Sequence, residues 1–93
     1  MFKTPILYVP FKRVDIVKQV LNRILDVNPE KLYVFQDGPR DGLEEKMLEE
    51  VMAYIEATVG KTKTKLCVKR NTNNLGPYRG VWEAVSWFFE HEE

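Results

Sequence analysis

Tyr33-Val34-Phe35-Gln36-Asp37-Gly38-Pro39-Arg40-Asp41 is an apolar run that stops abruptly at an acid, a glycine and a proline. Leu32 to Phe35 is continuously apolar or aromatic, which suits a strand covered on both faces, and Gly38-Pro39 breaks the extended run. A helical pattern follows at once. In an open α/β sheet, ligands bind in the crevice beyond the carboxyl ends of the strands, so an acid at that point is a candidate ligand contact. The competing reading is that Asp37 only stabilises its own turn, as Asx residues commonly do.

The segments on either side repeat the strand-then-helix pattern. Pro5 to Val9 is a short β-type run closed by Pro10, which cannot donate a ladder hydrogen bond. From about Arg13 the period changes: Ile16, Val17, Val20, Leu21 and Ile24 fall on one helical stripe, and Asn28-Pro29 ends it. Beyond the central strand, Asp41 and Glu44 have the spacing of a capping box, and Leu43, Met47, Leu48, Val51 and Ile55 form the next apolar stripe, closed by Gly60. Leu66-Cys67-Val68 makes a third strand whose charged end, Lys69-Arg70, predicts an edge position. Asn71 to Gly76 is rich in turn formers, and Pro77 suits a first helical turn. Val81, Trp82, Val85, Phe88 and Phe89 then predict a core-facing helix face, a packing stripe and not a base-stacking platform. The expectation is an α/β fold: a Rossmann-like three-layer half-domain of three parallel strands, in the order 3-2-1, alternating with three helices.

Composition narrows the function classes. A chain of 93 residues is read as one domain, residues 1–93, with little surplus core. Fourteen basic and fourteen acidic residues cancel, so no overall field recruits nucleic acid or anionic membrane. The single cysteine, Cys67, rules out an intrachain disulfide and fits a reducing compartment, while His91 stands among glutamates as a solvated residue. There is no signal-peptide profile and no run approaching the ~18 apolar residues of a membrane span, which predicts a cytoplasmic location.

Several familiar chemistries fail on spacing. Gly60-Lys61-Thr62 resembles the tail of a phosphate-binding loop, but Ile55 occupies the position of the required glycine and the stretch follows a helix. Val9-Pro10-Phe11-Lys12 stands where a dinucleotide fingerprint would follow the first strand, and no serine or cysteine sits in a nucleophile elbow. Asp37 and Asp41 could hold magnesium, yet Asp41 is better explained as a helix cap.

Three stretches in order carry a resemblance: Thr4 to Arg13, Tyr33 to Arg40, and Arg70-Asn71 through Asn74-Leu75-Gly76 into the Trp-containing helix. Together they resemble the N-terminal half of a nucleotide-diphospho-sugar glycosyltransferase with the A-type fold, in its family 2-like branch, and are also similar to the start of the N-acetylglucosaminyltransferase I family. The resemblance implies that Val9, Pro10, Phe11 and Arg13 lie near the base, and that Asp37, followed by Gly38, accepts a hydrogen bond from the uracil imide. It also implies that Asn74, Leu75 and Gly76 approach the nucleotide, with Arg79 available for the diphosphate; a guanidinium suits that task because its planar fork pairs two oxygens. The competing reading of Arg79 is a solvated helix face.

The family places an Asp-x-Asp motif, which binds manganese or magnesium, after a fourth strand, whereas this sequence reaches Glu90-His91-Glu92-Glu93 without it. No cofactor and no catalytic residue are therefore expected within these residues, and the chain by itself is not expected to catalyse transfer. Two functional classes follow: the donor-binding half of a glycosyltransferase with a UDP-sugar as ligand, or a non-enzymatic α/β protein-interaction module. With no fourth strand, Ile6-Leu7-Tyr8-Val9 would be an open edge, which predicts a homodimer through the first strand or its covering helix, burying Trp82, Trp87 and Phe88.

Overall fold

A computed structural model describes residues 3–10 and 12–92. The elements run β1 (Ile6–Tyr8), α1 (Val14–Asp26), β2 (Lys31–Gln36), α2 (Gly42–Val59), β3 (Lys65–Arg70) and α3 (Gly76–His91). The three strands are parallel in the order β1-β2-β3, which is the expected 3-2-1 seen from the opposite edge. The register sets Ile6 beside Leu32, Tyr8 beside Val34, Val34 beside Val68 and Gln36 beside Arg70. All three carboxyl ends therefore open on one side of the sheet.

The central strand shows why a continuous apolar run is needed there. Side chains alternate across a strand, so Leu32 and Val34 point to one face and Tyr33 and Phe35 to the other, and all four are buried. On the first face, Val17 and Leu21 of α1 meet Val51, Met52, Ile55 and Val59 of α2. Two successive crossovers of one hand require this shared face. On the second face, Ala84 and Trp87 of α3 cover Tyr33 and Phe35, with Leu7, Cys67 and Phe88 packed alongside. Tyr33 meets the rings of Trp87 and Phe88 edge-on at 5.3 and 5.1 Å, a geometry that aromatic quadrupoles favour.

Two readings of the helices are corrected. In α2, Leu43 is 70 % exposed, while Met52 and Val59, absent from the expected stripe, are buried. The buried positions of α2 are instead Glu44, Val51, Met52, Ile55 and Val59. In α3 the error is larger: Val81, Trp82, Val85 and Phe89 point outward, with Trp82 74 % and Phe89 67 % exposed, and of the expected stripe only Phe88 joins the core. The inward face is Gly80, Ala84 and Trp87. Two small residues let the helix backbone approach the sheet and the large Trp87 fills the space beyond, so apolar character marks both faces of this helix.

The C-terminus of α3 is tied to the opposite, amino end of the sheet. Glu92 accepts hydrogen bonds from the Tyr33 hydroxyl and, at 3.1 Å, from Lys31 Nζ. The bond to Glu92 and burial push the Tyr33 phenol up to about 12, and the hydrogen bonds from Tyr33 and Lys31 hold the Glu92 carboxyl below its ordinary range.

Candidate functional site

At the carboxyl ends of the strands, the loop after β2 and the loop after β3 are locked together. Gly38 lies so close to the loop after β3 that an added Cβ would run into the backbone of Asn73, so only glycine fits. Asn74 Nδ2 donates to the Gly38 carbonyl at 2.9 Å, and the Asn71 amide donates to the Gln36 carbonyl at 2.9 Å.

Asp37 is the hinge of this junction. Its Oδ1 accepts from the amides of Gly38 at 2.9 Å and Leu75 at 3.0 Å, and its Oδ2 accepts from Gly76 at 3.2 Å. Leu75 is the N-cap of α3 and offers no capping side chain of its own. Asp37 therefore caps α3 from a different element, placing a carboxylate at the positive end of the helix. Gly80, one turn into α3, packs against it: a Cβ there would stand 3.2 Å from Oδ2. The Leu75 amide also reaches Oδ2 at 3.2 Å, so the three backbone donors contact both oxygens of the carboxylate.

Beside Asp37 lies a charged cluster around Glu44. The Glu44 carboxylate is buried, and its Oε2 accepts from Arg40 Nε at 2.9 Å, Arg40 Nη2 at 2.6 Å and Lys12 Nζ at 2.7 Å. Its Oε1 accepts from the Arg40 amide at 3.1 Å. The hydrogen bonds from Arg40 and Lys12 hold the Glu44 carboxyl down at about 2. Asp41 caps α2 by accepting from the Glu44 amide at 2.9 Å, as its spacing predicts. The reciprocal half of the capping box is shifted by one residue, because Glu44 reaches the amide of Arg40 instead of that of Asp41.

These groups surround a crevice of about 240 Å³ whose lining includes Pro10, Lys12, Asp37, Arg40, Asn74 and Gly76. No family model, curated protein or solved structure matches the chain. Of the residues singled out from sequence, Pro10, Asp37, Gly38, Asn74 and Gly76 converge on it, and Leu75 joins them through its amide bond to Asp37. Phe11 lies outside the described residues. Val9 is exposed beside the crevice without lining it, and Arg13 is turned to Asp15 at 3.3 Å on the surface. Arg79 also fails to line the crevice and is exposed on α3, which agrees with the solvated-face reading.

Lys12, Arg40 and Glu44 also belong to the crevice, although the sequence does not mark them as site residues. Arg40 closes the strand-end stretch and Lys12 sits between two residues named for the pocket, so position was the available signal; Glu44 was legible only as a cap. A second cavity of about 400 Å³ lies on the α2 side between the ends of β2 and β3, where Arg70 donates to Gln36 Oε1 at 3.0 Å and Glu49 Oε1 at 2.8 Å. Among the described residues no group of three or more acidic, histidine or cysteine side chains is arranged to hold a metal ion.

Proposed function

We propose that the protein binds a nucleotide-diphospho-sugar, with uridine as the base, in the crevice at the carboxyl ends of β1 and β2, as the donor-binding half of a glycosyltransferase-like fold. One observation supports this reading most: residues from all three resembling stretches, Pro10, Asp37 and Asn74 among them, line one crevice of a parallel α/β sheet at the end where such sheets take ligands. A uracil imide N–H would share the Asp37 carboxylate, an acceptor only when ionised, with the three backbone amides. Lys12 and Arg40 keep exposed cationic surface at the crevice mouth, where a diphosphate would compete with Glu44 for them. Manganese or magnesium would belong to that diphosphate; a cytoplasmic setting, where free thiols persist and nucleotide-sugars would be encountered, goes with this reading.

The test is amide chemical-shift titration with uridine diphosphate. Shifts at Lys12, Asp37, Gly38, Arg40 and Asn74, weakened in an Asp37→Ala protein whose spectrum remains folded, are the expected result. No shift at millimolar nucleotide, or equal affinity in the folded variant, would discard the reading.

A second reading is a non-enzymatic protein-interaction module, and the outward face of α3 favours it. Helix faces of that apolar character are uncommon on a solvated surface.

A further inference from the structure

The outward face of α3 carries Tyr78, Val81, Trp82, Val85 and Phe89, with Tyr78 91 % and Trp82 74 % exposed. These positions fall within about 100° of arc on a helix turning 100° per residue. The stripe is continuous along the helix, and none of these five belongs to either buried core cluster. On one flank of it stand Arg79, Ser86 and Glu90. Among the described residues neither Arg79 nor Glu90 takes part in an ion pair.

We infer that this face is covered by the same face of a second copy of the chain, packed antiparallel about a two-fold axis near the middle of the stripe. Two observations select that occupant. The first is charge. A two-fold axis perpendicular to two antiparallel helices sets the same flank of each side by side with its direction reversed. Arg79 and Glu90 share a flank roughly three turns apart, and their midpoint lies near the middle of the stripe. Each Arg79 then meets Glu90 of the other copy, whereas a parallel pair would set this flank against the opposite flank of its partner and leave Arg79 and Glu90 on separate sides of the seam. A shallow groove of about 350 Å³, lined by Lys69, Trp82, Glu83, Ser86, Trp87 and Glu90, lies on that flank to receive the incoming guanidinium.

The second observation is area. With aromatic side chains worth ~150–250 Å² each, the three exposed aromatics and two valines present roughly 600 Å² per copy. Two copies would bury about 1,200 Å², the lower bound of a specific interface. The free edge of β1 is a poorer alternative. It is three residues long, and Pro5 and Pro10 on either side of it lack the amide a ladder requires. A lipid surface fits no better, because Arg79 is the one lysine or arginine of α3, which also carries Glu83 and Glu90. The inference is independent of what the strand-end crevice binds.

Sedimentation equilibrium of the full chain from micromolar to submillimolar concentration tests it. A reversible dimer is expected. Trp82→Glu, at an exposed position, should weaken association by about 30-fold or more while leaving the circular dichroism of the monomer unchanged. Arg79→Glu should also weaken the dimer, and Arg79→Glu combined with Glu90→Arg should restore it, which a generic hydrophobic contact would not do. A strict monomer at submillimolar concentration overturns the inference. So does a dimer that tolerates Trp82→Glu, or one in which the charge exchange fails to restore what the single change lost.

Discussion

Asp37 shows how one side chain can serve two elements. Its carboxylate gathers the amides of Gly38, Leu75 and Gly76, and so fixes both the turn after β2 and the start of α3. Asp37→Ala should cost about 0.5–2 kcal/mol, the range for losing a helix cap, read as a lowered urea midpoint. Asp37→Asn keeps one acceptor oxygen but loses the charge at the helix end, and should fall between wild type and alanine. Gly38→Ala is a sharper test of the same junction. Its Cβ would meet the backbone of Asn73, which cannot rotate away, so a loss of about 1–3 kcal/mol is expected from overpacking. An alanine variant as stable as wild type would show that the two loops are not in contact. The turn at Asp37 was legible because an acid, a glycine and a proline follow an apolar run. Its partners were not, since the amides of Leu75 and Gly76 come to it only when the third strand and its loop are placed beside the second.

At the scale of elements, β2 and α3 make an instructive contrast. A strand buried on both faces has no polar positions to spare, so Leu32 to Phe35 could be read directly as the sheet centre. The charged end of β3 likewise announced an edge, and β3 is one. For α3, apolar residues surround most of the helix, and hydrophobicity alone ranked Trp82 with the core. The better signal was size: Gly80 and Ala84, a turn apart, mark the side that must approach the sheet closely, and Trp87 continues that side. The two tryptophans should therefore behave oppositely. Trp87→Ala should cost about 3–5 kcal/mol as a large core truncation, a large part of the roughly 5–15 kcal/mol available to a small domain. Trp82→Ala, measured dilute enough that chains do not associate, should change monomer stability by no more than about 0.5 kcal/mol. Equal losses at the two positions would mean that α3 is rotated about its axis relative to the arrangement described.

For the whole molecule, the two ends of the sheet set two different limits on pH. At the carboxyl end, Glu44 is held at about 2 by Arg40 and Lys12. A carboxyl depressed by folding stabilises the native state fully above its unfolded value of about 4.3, and that stabilisation is lost as the pH falls toward the folded value. Glu92, also depressed, adds to the same acid arm from the other end. At the amino end, Tyr33 is raised to about 12 by Glu92 and burial. A phenol raised by folding stabilises the native state below its unfolded value of about 10, and that contribution disappears as the pH rises through the folded value. Urea unfolding across the pH range should therefore give a plateau near neutrality, an acid decline beginning below about pH 5 and a separate alkaline decline beginning near pH 10. Glu44→Gln should flatten the acid decline without touching the alkaline one. Tyr33→Phe should do the reverse at high pH and, by removing a donor to Glu92, should also soften the acid arm. That asymmetry is the discriminating result, because Glu44 lies in the charged cluster beyond the carboxyl end of β2, whereas Tyr33 donates directly to the second acid, Glu92. Variants that shift both arms equally would indicate a general loss of stability in place of two separate ionisations.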